Sequence, residues 1–267
     1  MSIYLNIAPC AWNKCKFCAY EFLKKDGTPT HEEMKKLIDR EMEEHVISKG
    51  QPYVKIFNGG SWFYNEVPKD LREVVYSYLE EINFKKLRIE NTFNLILWDE
   101  IKEIMDRGFD LTISWGLEAA DDKILREVDK GVTIEKVGRM LKRSKDLGIK
   151  NLVYLLAGLP TTTIEDYFKT IDWIIERKDL IDEISVLTYT PIKGSYYYKH
   201  LWKTNQFRVI GKEDWKKCRD YTREKCNGTD IKVTFTTYNW RFYQGKTYDE
   251  VYNSSKKNIV KEKKENV

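Results

Sequence analysis

PCAWNKCKFCAY, residues 9–20, places Cys10, Cys15 and Cys18 within nine residues near the N-terminus. The chain has 267 residues and five cysteines, so most of its thiols crowd into one short loop. The spacing is Cys-x4-Cys-x2-Cys. Three thiolates can hold a tetrahedral zinc if a fourth ligand or an open water site completes it. The three histidines, His31, His45 and His200, offer no paired ligand spacing beside the loop. Three thiolates can also ligate three irons of a 4Fe–4S cluster and leave the fourth iron open. Three plain buried thiols are the third reading, and such crowding in a loop argues against it.

Working outward, SIYLNIA (2–8) alternates as a strand that runs into the loop. Helical spacing follows over 31–47, with Thr30 as N-cap. Strands are then expected at 53–58, 86–91, 110–118, 152–160 and 184–191. Helices are expected at 69–82, 98–108, 133–148 and 163–177, two of them stopped by glycine. Six strands alternating with helices predict an α/β fold with a parallel sheet. In such folds the chemistry sits at the C-terminal strand ends. Residues 1–195 are expected to form the main domain. Residues 196–253, rich in Tyr, Trp and charge, read as a C-terminal appendage packed on it, and 254–267 as a basic, flexible tail. No internal repeat is evident.

Composition is that of a globular protein, 42% hydrophobic and 33% charged. No apolar run approaches the roughly 20 residues of a membrane span. The N-terminus lacks the pattern of a secretory signal, so no membrane association and a cytoplasmic location are expected. Net charge is +4, and the tail carries five lysines against two glutamates. The body is therefore nearly neutral, which disfavours a tRNA-binding face. Cys218 and Cys226, in a helical stretch, read as ordinary semi-buried thiols.

A three-cysteine loop after the first strand of a βα repeat resembles the radical S-adenosylmethionine (SAM) enzymes. Their usual spacing is x3 then x2; here it is x4 then x2. Phe17 stands where an aromatic normally precedes the third cysteine. Further stretches match in the family's order: FNGGS (57–61), IEN (89–91), GLEAAD (116–121), LLAGLPTTTIEDY (155–167) and LTYTPIKGS (187–195). The resemblance implies a partial (βα)6 barrel holding a 4Fe–4S cluster on Cys10, Cys15 and Cys18. It further implies that SAM is bound by Asn58, Gly59, Gly60, Ser61, Glu90, Glu118 and Lys130, with Phe17 beside cluster and adenine. SAM's sulfonium bond then breaks to give a 5′-deoxyadenosyl radical, and the cofactor carries the hard chemistry.

The Cys-x-Trp start of the loop, the x4 spacing and the Asp-Lys-Gly after GLE are similar to one branch, the deazaguanine lyases. That branch includes queuine lyase and the archaeosine synthase radical enzyme. The resemblance implies C–N bond cleavage of a 7-deazaguanine base, queuine to 7-aminomethyl-7-deazaguanine, in queuosine salvage. The alternative is an archaeosine-type reaction on a deazaguanine nucleoside in tRNA. The near-neutral body tilts the reading to the free base. A small aromatic base suits a pocket of a few aromatics with an amide or carboxylate, for which Asn65, Tyr189 and Tyr238 are candidates. An electron donor such as flavodoxin or ferredoxin is the expected protein partner. No catalytic acid, base or nucleophile is assigned.

Overall fold

The computed structural model describes residues 2–4, 10–19, 30, 32–33, 35–36, 39–40, 53–57, 60–65, 67–237 and 240–251. Seven strands form one sheet in chain order: β1 (Ser2–Tyr4), β2 (Val54–Phe57), β3 (Lys86–Asn91), β4 (Asp110–Glu118), β5 (Lys150–Ala157), β6 (Glu183–Thr188) and β7 (Lys232–Thr236). Every neighbouring pair is parallel. Sequential parallel strands need a crossover of one hand each time, and β1–β6 curl into the expected half-barrel.

The helices form where the 3.6-residue pattern places them, at Lys69–Glu81, Trp98–Asp106, Ile134–Asp146 and Ile164–Ile175. Thr163 and Asp166 close a capping box at the start of the last of these. Thr30 caps as expected: its hydroxyl accepts from the Glu33 N–H at 3.3 Å, and the Glu33 carboxylate accepts from the Thr30 N–H at 2.7 Å. The remainder of the helix expected at 31–47 lies largely outside the described residues. One short helix, Asp122–Glu127, escaped the sequence pattern. Its cap is Asp121, whose carboxylate accepts from the N–H groups of Lys123 and Ile124. No helix among the described residues is long and apolar enough to cross a membrane.

The sheet has two unlike faces. Val54, Ile56, Leu87, Ile89, Ile113, Val153, Leu155, Ile184 and Val186 are buried in the core shared with the helices. On the intervening positions of β2, β3, β5 and β6 stand Lys55, Arg88, Glu90, Tyr154, Glu183 and Ser185. Parallel sheets covered on both sides read as continuous apolar runs. Here the alternation marks the inner face of the half-barrel as polar.

The C-terminal region does more than cover one side. Helix Lys212–Cys226 packs on helix Ile164–Ile175 through Tyr167 Oη and Thr222 Oγ1, 2.7 Å apart, and through an ion pair of Lys225 with Asp172 at 2.9 Å. It then delivers β7 to the edge of β6. The strand was missed because KVTFT is short and half-exposed along its length, so it lacks the apolar run of a central strand. Cys218 and Cys226 are buried thiols.

One buried side chain ties the segment after β2 to the helix that follows it. Arg72 is 2% exposed. It donates to the carbonyls of Trp62, Tyr64 and Val67 and to Glu100, the last at 2.5 Å. Arg72→Met should destabilise the fold by about 3–5 kcal/mol, because it leaves a partly buried carboxylate and three carbonyls without their donor. Urea unfolding followed by circular dichroism measures this.

Candidate active site

The C-terminal ends of the strands share one rim. At the end of β4, Glu118 has φ +67°, a left-handed conformation uncommon for a residue with a side chain and often found at functional sites. The pairing of β4 with β5 shifts register between Gly116 and Glu118. Glu118 Oε1 accepts a hydrogen bond from Lys130 Nζ at 2.7 Å, and both residues are buried. Gly116 makes room for the pair. A Cβ there would lie 2.8 Å from Glu118 Oε1 and 2.9 Å from Lys130 Nζ. Burial alone would lower the Lys130 pKa, but Glu118 and the nearby Cys15 and Cys18 carry it up to about 12. Lys130 is therefore an ammonium at neutral pH. It also lies 5.5 Å from the centroid of the Phe17 ring.

Lys130 belongs to the turn that seats the cysteine loop. The Lys16 N–H donates to the Val128 carbonyl at 3.0 Å, and Trp12 Nε1 donates to the Asp129 carbonyl at 2.7 Å. The Trp12 ring lies directly on Gly131, where a Cβ would sit 2.1 Å from a ring carbon. Gly131 has φ +70°, so both its backbone and its missing side chain are required. On the other side the Tyr197 N–H donates to the Lys16 carbonyl at 3.0 Å. A tight turn joins Cys18 N–H to the Cys15 carbonyl at 3.1 Å.

All three loop cysteines are partly buried thiols outside any disulfide. Burial pushes the Cys15 thiol up to about 12, with Lys130 opposing. A cubane takes one thiolate per iron, and the three thiols of one loop suit a cluster whose fourth iron is open.

Below the rim lies the polar inner face. Lys55 Nζ is 3.4 Å from Glu90 Oε1 and donates to Tyr154 Oη. Burial raises the Glu90 pKa, with Lys55 opposing, and burial lowers that of Lys55. Arg88 reaches across to Glu183, with Nη2 at 2.8 Å from both carboxylate oxygens. These four charged side chains are between 12% and 20% exposed, so solvent reaches the face they form.

The structure thus gathers Phe17, Glu118, Lys130, Cys15 and Cys18, and places Glu90 close enough to Glu118 to feel its charge. Gly60 and Ser61 are buried beside the end of β3. Ser61 Oγ lies 2.7 Å from Thr92 Oγ1, and the Trp62 N–H donates to the Glu90 carbonyl at 3.2 Å. Asn58, Gly59 and Tyr238 lie outside the described residues. Asn65 is exposed in the turn after Phe63. Tyr189 is 2% exposed and packs against Tyr197 and Phe207 in a small apolar cluster that Phe17 also borders. Sequence reasoning missed Lys55, Arg88, Tyr154 and Glu183. The signal was present as charge at alternate positions of KLRIEN and VKIF.

Gly131→Ala should lift Trp12 and loosen the loop. The cost is about 1–3 kcal/mol of overpacking, with a further penalty for alanine in left-handed backbone. The expected result is faster labelling of Cys10, Cys15 and Cys18 by a thiol reagent, and poorer iron retention after reconstitution, with the far-ultraviolet circular dichroism preserved.

The profile of the radical SAM superfamily matches residues 5–174. A putative methylthiotransferase of Methanocaldococcus jannaschii is 34% identical over 94 residues, which cover 34% of this chain and 20% of that protein. The chain therefore spans about a fifth of that relative's length. Among solved structures, SuiB of Streptococcus suis bound to S-adenosylmethionine superposes with a TM-score of 0.62 at 18% identity, over 88% of this chain and 50% of that one. Queuine lyase from Clostridium spiroforme, bound to SAM and queuine, gives a TM-score of 0.62 at 20% identity, over 87% of this chain and 89% of that one. A profile covering both the cysteine loop and the Glu118–Lys130 rim, on a half-barrel shared with these enzymes, shows that the chain belongs to the radical SAM superfamily.

Proposed function

We propose that this radical SAM enzyme is a carbon–nitrogen lyase acting on a free 7-deazaguanine base, converting queuine to 7-aminomethyl-7-deazaguanine. The observation that carries the reading is the inner face of the half-barrel. It presents carboxylates and cations side by side: Glu90 with Lys55, and Glu183 with Arg88. The lactam edge of a guanine-type base sets a carbonyl acceptor beside two N–H donors, and an enzyme reads such an edge by hydrogen bonds. Glu183 suits the donors. Arg88 suits the carbonyl, because its buried Nε has no hydrogen-bond partner among the described residues. Queuine lyase supports the reading in one further respect: it matches this chain over nearly its whole length.

The family's cofactors are a 4Fe–4S cluster and SAM, which when bound supply the hydrogen-abstracting radical. In the proposed assignment Cys10, Cys15 and Cys18 hold the cluster. Glu118 and Lys130 carry one charge of each sign, 2.7 Å apart, and so complement the ammonium and carboxylate of the methionine end of SAM. Glu90, Gly60 and Ser61 stand at the neighbouring strand ends, and Asn58 and Gly59 are assigned with them from the same sequence motif. Phe17 offers an apolar surface beside Lys130.

The deciding experiment supplies anaerobically reconstituted protein with dithionite, SAM and queuine, and follows products by mass spectrometry. Release of 7-aminomethyl-7-deazaguanine together with 5′-deoxyadenosine is expected. 5′-Deoxyadenosine without the released base would overturn the free-base lyase and turn attention to a base carried in tRNA. Glu183→Gln should lower kcat/KM for queuine roughly 10- to 100-fold, the worth of a charged hydrogen bond of about 1.5–3 kcal/mol, with SAM affinity unchanged. Glu118→Ala should weaken SAM binding while the iron content stays intact, and Cys15→Ala should abolish cluster formation in a folded barrel.

A further inference from the structure

We infer that Tyr189, just past the end of β6, is a hydrogen-bond donor to the sulfur at the Cys18 corner of the iron–sulfur cluster, and that it raises the cluster's reduction potential. The inference rests on the assignment of Cys10, Cys15 and Cys18 to the cluster, and not on the identity of the substrate.

The pleat of the strand places the residue. Side chains alternate between the two faces of β6, so Glu183, Ser185 and Leu187 share the inner face. The last registered pair of β5 and β6 is Ala157 with Thr188. The Tyr189 N–H donates to the Ala157 carbonyl at 2.9 Å and carries the pairing one step further. Tyr189 therefore extends the inner-face row to the rim where the cysteine loop is seated. Two contacts tie it to that loop. Phe17, the neighbour of Cys18, packs against the small apolar group that contains Tyr189 and Tyr197. Tyr197, whose ring centroid lies 6.3 Å from that of Tyr189, donates its N–H to the Lys16 carbonyl at 3.0 Å.

In this apolar setting the Tyr189 hydroxyl stands out. The residue is 2% exposed, and its buried Oη makes no hydrogen bond among the described residues. Ser195 stands near it, but the Ser195 hydroxyl already accepts from the Tyr198 N–H at 3.1 Å. A buried phenol ordinarily finds a partner. Burial pushes the Tyr189 phenol well above its usual range, Ser195 opposing and Tyr197 and Cys18 adding to the rise. It is therefore a neutral O–H donor at neutral pH, and Cys18 is the loop cysteine whose charge reaches it. Such burial does not suit a side chain that meets a base in the open concavity. It suits a donor facing a buried cluster.

The consequence is electrostatic. Reduction adds negative charge to the cluster and its sulfurs. An O–H aimed at one of them stabilises the reduced state more than the oxidised one, and hydrogen bonds to the sulfurs are among the factors that set such potentials. No bond breaks and no proton is transferred, because the phenol stays protonated in both states.

Tyr197 supplies the control. It is 3% exposed and its hydroxyl also lacks a hydrogen bond among the described residues, yet burial, Thr161, Glu127 and Tyr196 govern its ionisation, with no cysteine among them. The test uses the reconstituted holoenzyme, titrated potentiometrically and followed by electron paramagnetic resonance of the reduced cluster. Tyr189→Phe should make the one-electron reduction about tenfold less favourable, a fall of about 59 mV, with iron content and SAM affinity unchanged. It should also remove one exchangeable-proton coupling from the electron–nuclear double resonance spectrum of the wild type. Tyr197→Phe should leave both readouts as in the wild type. A fluorinated tyrosine installed at position 189, a stronger donor of the same shape, should move the potential upward, and it covers the case in which the Phe variant loads poorly. Equal potentials in wild type and a loaded Tyr189→Phe would overturn the inference. So would equal shifts in the Tyr189 and Tyr197 variants, which would mark a packing effect, or a raised KM for queuine in Tyr189→Phe with the potential unmoved. A wild-type protein that takes up no cluster would overturn it together with the assignment of the three cysteines.

Discussion

Lys130 and Glu118, 2.7 Å apart and buried, form the contact on which the rest of the site depends. A lone buried charge is costly, and a pair stands only when both partners are well placed. Glu118 is placed by the end of β4 through a left-handed residue. Lys130 is placed by the turn that follows the short helix Asp122–Glu127, whose Leu125 carbonyl accepts from the Lys130 N–H at 2.9 Å. That same turn offers the carbonyls of Val128 and Asp129, and the bare surface of Gly131, to the cysteine loop. One ion pair thus ties the sheet rim, a helix end and the cysteine loop into a single unit.

The second organising feature is the difference between the two faces of the sheet. The outer face packs against helices in the ordinary way and supplies the stability. The inner face keeps a few leucines, Leu152, Leu156 and Leu187, but Lys55, Glu90, Arg88, Glu183 and Tyr154 are paired with one another across strands. Such pairing lowers the cost of keeping charge in a partly buried space, and leaves a surface that can exchange its internal hydrogen bonds for those of a ligand. A half-barrel, unlike a closed one, can afford this because the concavity is open.

The sequence by itself determined the succession of strands and helices, because apolar periodicity and glycine stops are local. It also singled out Cys10, Cys15 and Cys18, and Glu118 with Lys130, as candidates, because each sits in or close after a short motif that follows a recognisable strand. It did not show β7, whose half-exposed residues carry no strong period and whose place depends on an edge of β6 made elsewhere. Lys55, Arg88, Tyr154 and Glu183 were out of reach for a related reason. Lys55 and Arg88 show in the sequence only as charge at alternate strand positions, and only the curl of the sheet turns four strands so that these side chains meet. The same holds for Lys16 and Tyr196, some 180 residues apart, which become neighbours only when the loop docks on the far end of the barrel. Local patterns settle what an element is; which side chains share a space is settled by packing, because contact depends on distances that the chain order does not contain.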